Sequence, residues 1–180
     1  MPLVLKDILL VIMLIFVMMM LATVFINLFL VKVPYVPTSR KALNEILKHV
    51  KVNPQSKVYD LGCGDGRFLF AMESQFKTEC FGYELAPIPF LLSKLTQYFR
   101  RSKVNFYMKN FLKVNLSNAD LIFCYLSPDL LTKLGDKLQK ECKQGTQIIT
   151  NTFKISNLEP VKVLARNREL KHPSIYIYEI

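Results

Sequence analysis

From Ile8 to Val31 the chain runs for 24 residues without a charge, and only Thr23 and Asn27 interrupt its apolar side chains. A helix rising about 1.5 Å per residue over such a run crosses the roughly 30 Å of hydrocarbon in a bilayer with some tilt. It has no polar face to turn toward water, so it does not fit a helix lying half-buried on a globular domain. A cleaved secretory signal would carry a shorter apolar region and a small-x-small cleavage site, and none precedes Lys32. Residues 1–31 are therefore read as an N-terminal transmembrane anchor, with the membrane lipid bilayer as its partner. Lys6 and Asp7 cancel in front of the segment, whereas Lys32, Arg40, Lys41, Lys48 and Lys51 follow it. The positive-inside rule then puts the rest of the chain on the cytoplasmic side of a plasma membrane. In a eukaryotic cell the corresponding location is the mitochondrial inner membrane.

Residues 32–180 suffice for one compact domain with its own core. The formal charge of +10 is spread out, with small clusters at Arg40-Lys41 and at Arg100-Arg101-Ser102-Lys103. Such a surface suits the anionic face of a membrane. No aromatic-plus-basic signature accompanies the charge, so nucleic acid is not expected as a partner. Cys63, Cys80, Cys124 and Cys142 form no C-x-x-C pair, and His49 and His172 stand apart. No metal centre is expected from that spacing, and scattered cysteines fit a reducing compartment.

Val33-Pro34-Tyr35-Val36-Pro37 cannot continue a helix, because two prolines remove donors and fix the backbone. Residues 32–56 thus read as a linker followed by a helix capped at Thr38 or Ser39 and running to about Val50. Within 57–180, strands are expected at Lys57 to Leu61, Cys80 to Glu84, Val104 to Met108, Leu121 to Tyr125 and Gln147 to Thr152. Helices are expected at Arg67 to Gln75, Pro87 to Arg101 and Asp129 to Cys142. Val161 to Ala165 and Ile175 to Ile180 read as a closing pair of strands. Alternating strands and helices imply a parallel sheet covered on both faces, and the closing pair implies an antiparallel end. The fold class is α/β, a Rossmann-like sheet arranged as in class I methyltransferases.

The chemistry concentrates in Val58-Tyr59-Asp60-Leu61-Gly62-Cys63-Gly64-Asp65-Gly66, where a strand turns sharply into a helix. Glycines permit positive φ and remove side chains that would collide with a ligand. In dinucleotide folds the spacing is G-x-G-x-x-G and a pyrophosphate sits on the helix N-terminus. Here the spacing is G-x-G-x-G, with Asp60 before it and Asp65 inside it. Two carboxylates repel a pyrophosphate but suit a ligand carrying an amine and a sulfonium cation, which favours S-adenosylmethionine over NAD. Glu84 ends the next strand, where a carboxylate can accept from both ribose hydroxyls. Asn110 follows the third strand, positioned for its amide oxygen to meet the adenine amine, and Phe111 beside it can pack on the ring or in the core.

These residues resemble a family. VPYVPTS (Val33 to Ser39), VYDLGCGDGR (Val58 to Arg67), GYEL (Gly82 to Leu85), KNFLKVNL (Lys109 to Leu116) and YLSPDLL (Tyr125 to Leu131) are similar to the membrane-anchored protein-lysine methyltransferases that act on the adenine nucleotide translocase and on the ATP synthase c-subunit, and to their bacterial relatives. The resemblance implies a seven-stranded sheet with the cofactor along the strand carboxyl ends, near Asp60, Gly62, Gly64 and Glu84, and Cys63, Asp65 and Gly66 of the same turn are expected at the cofactor as well. It places Tyr35, Thr38 and the Leu126–Pro128 turn near the methyl group and the acceptor channel, with Tyr125 as a further lining residue. Relatives usually carry Asp where this chain has Asn110.

The expected activity is methyl transfer from S-adenosylmethionine to a lysine of a membrane-embedded or juxtamembrane protein. Two other readings are a methyltransferase acting on a lipid or quinone-like small molecule and a non-catalytic scaffold that binds the cofactor. The intact glycine loop speaks against the scaffold.

Overall fold

In the computed structural model the described residues are 3–25, 36–166 and 173–180. The chain opens with helix α1 (Leu3–Phe25) and continues with α2 (Arg40–Leu47). Strands β1 (Lys57–Leu61), β2 (Glu79–Tyr83) and β3 (Asn105–Tyr107) follow, with α3 (Arg67–Phe76) and α4 (Pro87–Arg100) between them. Then come a 3-10 turn at Phe111–Lys113, β4 (Leu121–Cys124), α5 (Pro128–Glu141) and β5 (Gln147–Asn151). The antiparallel end is β6 (Lys162–Leu164) and β7 (Ile175–Glu179).

The seven strands lie in the order β3-β2-β1-β4-β5-β7-β6. β1 to β5 pair in parallel, and β7 runs antiparallel between β5 and β6. β4 and β5 are buried along their whole length, as parallel strands covered on both faces must be. Alternation in β1 sends Val58 to one core and Tyr59 and Leu61 to the other. The first core joins Ile46 of α2 and Phe68, Leu69 and Met72 of α3 to Phe106 and Phe123. Phe68 and Phe123 meet with ring centroids 4.3 Å apart. The second core joins Leu131, Leu134 and Leu138 of α5, spaced as one helical face, to Ile122 and Ile148. After β3 the chain crosses to the far side of β1 to form β4. That reversal opens a crevice beyond the carboxyl ends of β1 and β4, the usual ligand position in a doubly wound sheet.

The expected elements are all present, with shifted ends. α2 stops at Leu47 rather than near Val50, because the Lys48 and His49 amides turn back to Glu45 and Ile46 carbonyls at 3.2 and 2.9 Å. Its start is capped by Ser39, whose Oγ accepts from the Ala42 amide at 3.2 Å. The third strand begins at Asn105 rather than Val104. The Val104 amide is held by Ser102 Oγ at 3.2 Å, and its carbonyl accepts from the Gln97 side chain. Of the apolar run, residues 8–25 lie in α1 and 26–31 lie outside the described residues.

Candidate cofactor and acceptor site

The glycine turn closes the crevice from below. Gly62, Gly64 and Gly66 take φ values of 84°, 57° and 79°, the left-handed region that side chains disfavour. The amides of Gly62 and Cys63 both bond the Tyr83 carbonyl, at 2.8 and 3.1 Å, which draws the turn over the end of β2. A Cβ on Gly66 would stand 2.5 Å from Cζ of Phe106, so the turn packs against the core with no room to spare.

Three carboxylates face the cleft. Asp60 is 2 % exposed and its carboxylate makes no hydrogen bond among the described residues. Burial, reinforced by the charges of Glu84 and Asp65, pushes its carboxyl well above the usual carboxylate range. Glu84 accepts from the Gly64 amide at 2.9 Å through Oε2, and from the Leu85 and Ala86 amides at 2.8 Å through Oε1. Asp65 is gripped by Arg67, with Nε 3.0 Å from Oδ1 and Nη2 2.7 Å from Oδ2. The same guanidinium donates from Nη1 to the Thr38 carbonyl at 2.9 Å, tying the segment before α2 to the turn.

The cleft encloses about 230 Å³. Its walls include Thr38, Asp60, Gly62, Cys63, Gly64, Asp65, Glu84, Asn110, Phe111, Tyr125 and Leu126, so most residues singled out by the sequence do meet there. Gly66 instead sits beneath the turn, as the left-handed residue that starts α3. Cys63 contributes through its backbone, since its thiol packs in the core and burial raises its pKa well above the usual thiol range. The Asn110 amide oxygen already accepts from the Leu112 amide at 3.0 Å and caps the 3-10 turn.

One expectation is not met as stated. Pro128 does not line the cleft. It is exposed and opens α5, where a fixed φ and a missing amide suit the first helical turn. Asp65 does line the cleft, with its carboxylate paired to Arg67. Tyr35 lies outside the described residues.

Arg67 was missed as a site residue, although a cation at a helix N-terminus opposes the helix dipole and signals a nearby acidic partner. Lys133 of α5, also on the wall, gave no sequence signal beyond its charge.

The buried Asp60 carboxylate sets what the cleft can hold. A cation placed against it regains the electrostatic partner that burial denies, whereas an added phosphate would place further negative charge beside Asp60 and Glu84. An amine and sulfonium ligand with a ribose fits this donor and acceptor set. The fold and the site define a class I S-adenosylmethionine-dependent methyltransferase, an enzyme with S-adenosylmethionine as its cofactor.

The model of the ANTKMT methyltransferase domain matches residues 60–162, and the chain belongs to that family. It is 30% identical over 151 residues to a protein-lysine N-methyltransferase of Saccharolobus islandicus, covering 82% of this chain and 94% of that protein. To the mouse adenine nucleotide translocase lysine N-methyltransferase it is 30% identical over 140 residues, covering 77% of this chain and 61% of that protein. To the human lysine N-methyltransferase of the ATP synthase c-subunit it is 28% identical over 129 residues, covering 71% of this chain and 54% of that protein. The chain thus spans less than two thirds of these two mammalian relatives. Among solved structures, an RNA methyltransferase of Salinibacter ruber in complex with S-adenosyl-L-homocysteine superposes with a TM-score of 0.74. That match has 22% identity and covers 81% of this chain and 94% of the other, a likeness of fold.

Proposed function

We propose that this enzyme methylates a lysine side chain of a membrane-embedded or juxtamembrane protein, with α1 holding it to the bilayer. The observation that carries the reading is the cleft's two-sided character. Its acidic floor, Asp60 and Glu84, lies beside a wall of Val36, Pro37, Tyr125 and Leu126. S-adenosylmethionine supplies an electrophilic methyl group when bound, and the acceptor nitrogen gives up a proton in taking it. Lysine has a reference pKa of about 10.4, so the wall must favour the neutral amine, as an apolar lining does. In this reading Asp60 faces the cationic part of the cofactor and Glu84 its ribose hydroxyls. Asn110 and Phe111 meet the adenine, and Gly62, Gly64 and Gly66 shape the turn. Thr38, Tyr125 and Leu126, with Tyr35, border the methyl group and the acceptor.

α1 is long and apolar enough to cross a membrane, and along the candidate span Leu5–Phe25 its side chains are exposed except at the partly covered Met19 and Thr23. A tether of this kind raises the effective concentration of the cleft near membrane-borne acceptors. The basic residues after the apolar run favour the cytoplasmic side or, in a eukaryotic cell, the mitochondrial inner membrane.

The test is transfer of labelled methyl from S-adenosylmethionine to membranes by the full chain, followed by acid hydrolysis. Label recovered as methylated lysine is the expected result. Label extracted quantitatively into organic solvent would assign the acceptor to lipid instead.

A further inference from the structure

Helix α4 exposes most of its large apolar residues. The side it turns to the domain carries buried Pro89 and Ser93, partly buried Gln97, and Phe90, which packs against the first core. Ser93 Oγ donates to the Phe90 carbonyl at 2.7 Å, and Gln97 Nε2 donates to the Val104 carbonyl. The opposite side carries Leu91, Leu92, Leu95, Tyr98 and Phe99, spaced i, i+1, i+4, i+7 and i+8, one continuous stripe. All five are exposed, and Tyr98 and Phe99 reach 78% and 79%.

Two further observations say what covers the stripe. α1 packs against α4, and the partly covered residues on α1 are Met19 and Thr23. Both lie inside the apolar run, well before its end at Val31. If α1 spans, α4 is held at the depth of the leaflet nearest the domain. The C-terminal end of the stripe is bordered by cations. Lys77, Arg100, Arg101 and Lys103 line one depression together with Glu73. None of these four cations forms an ion pair among the described residues, although Arg100 rests over the Phe70 ring at 5.2 Å.

We propose that α4 is a second membrane contact, an interfacial helix whose Leu91–Phe99 stripe enters the leaflet while Arg101 and Lys103 meet anionic headgroups. Apolar stripe, aromatic tip and basic border are the composition of helices that lie in the membrane plane, buried about 5–10 Å at the acyl boundary. Long basic side chains beside the stripe reach outward to the headgroups. The consequence is orientation. Pro89, in the first turn of α4, also lines the cofactor cleft. A single tether leaves the domain free to rotate, whereas α1 and α4 together fix the cleft's mouth at the bilayer surface. The inference rests on α1 crossing the bilayer.

The chain contains no tryptophan, so a single introduced one reports alone. The full-length protein is reconstituted in vesicles of equimolar phosphatidylcholine and phosphatidylglycerol, with and without brominated acyl chains. Phe99→Trp and Leu92→Trp report α4, Phe16→Trp reports α1, and Val163→Trp reports β6 at the sheet's opposite edge. Bromolipid should quench both α4 reporters roughly twofold or more and leave Val163→Trp unchanged. Quenching of Phe16→Trp with neither α4 reporter affected would overturn the α4 contact and leave the anchor standing. If Phe16→Trp also escapes quenching, the anchor itself fails and the α4 inference falls with it.

Discussion

Gly64 donates its backbone amide to Oε2 of Glu84 at 2.9 Å, so the glycine turn after β1 is tied to the acid that directly follows β2. The other oxygen of that carboxylate accepts from Leu85 and Ala86, at 2.8 Å each. A ligand-binding acid is thus also the joint between two loops, and its orientation is set before any ligand arrives. Preorganisation of this kind lowers the ordering cost of binding.

Glu84→Gln should therefore do more than remove a charge. The new amide group turns a donor toward either Gly64 or the Leu85–Ala86 pair, where each backbone group is itself a donor. Hydrogen bonds to a charged acceptor are each worth about 1.5–3 kcal/mol. Affinity for S-adenosylmethionine should fall by roughly tenfold or more, with faster hydrogen exchange at the Gly64 amide. Calorimetry and exchange on the same variant check both. An affinity within about twofold of the parent would show that the joint is not needed.

Asp60 is the opposite case, a group whose environment opposes its charge. Its folded-state pKa is raised well above the ordinary 3.8, so the native chain holds a proton that the unfolded chain releases. Stability of the ligand-free enzyme therefore falls as pH rises from about 3.8 toward the folded-state pKa. Asp60→Asn removes that slope. The variant should melt higher than the parent at neutral pH, by about 2–4 °C for each kcal/mol recovered, and the gap should close in acid. The same variant should lose S-adenosylmethionine binding. A variant less stable than the parent at neutral pH would mean that Asp60 is satisfied in the free enzyme.

The same raised pKa makes binding pH-dependent. A cationic ligand beside Asp60 favours the carboxylate, so its pKa drops on binding and a proton leaves. Affinity should decline as the pH is lowered through the free enzyme's Asp60 titration. Calorimetry in buffers of different ionisation enthalpy should register proton release within that range, and Asp60→Asn should abolish it. Proton uptake would place the cation elsewhere.

The sequence carried the element order and the Asp60–Glu84 framework because both rest on local rules. Glycine spacing dictates a turn, alternation with helices dictates a parallel sheet, and an acid next to a strand's C-terminal end reaches the carboxyl edge. Pairing across the turn was less legible. Arg67 pairs with Asp65 two residues back, and the Asn110 oxygen that is read as meeting the adenine also caps Phe111–Lys113. The resemblance puts Pro128 at the channel with Leu126, but Pro128 opens α5 and faces outward. The helix expected over Pro87 to Arg101 is present as α4, but its period says only that two faces differ. Which face meets the sheet is decided by tertiary packing.

Gly66 and Gly145 offer a matched pair for separating backbone strain from crowding. Both hold left-handed φ, 79° and 81°. A Cβ on Gly145 would meet nothing within 4 Å, whereas one on Gly66 would strike Phe106 at 2.5 and 2.7 Å. Gly145→Ala should then cost only the backbone term, roughly 1–2 kcal/mol. Gly66→Ala adds overpacking of about 1–3 kcal/mol, because the obstacle is a ring wedged between Phe70 and the sheet rather than a flexible chain end. Urea titration of both variants measures the difference directly. Equal losses would mean that Phe106 gives way freely, and the turn would then be less constrained by the core beneath it than its geometry indicates. Because Gly66 starts α3 beneath the turn that lines the cleft, the larger loss should be accompanied by weaker S-adenosylmethionine binding in Gly66→Ala and by unchanged binding in Gly145→Ala.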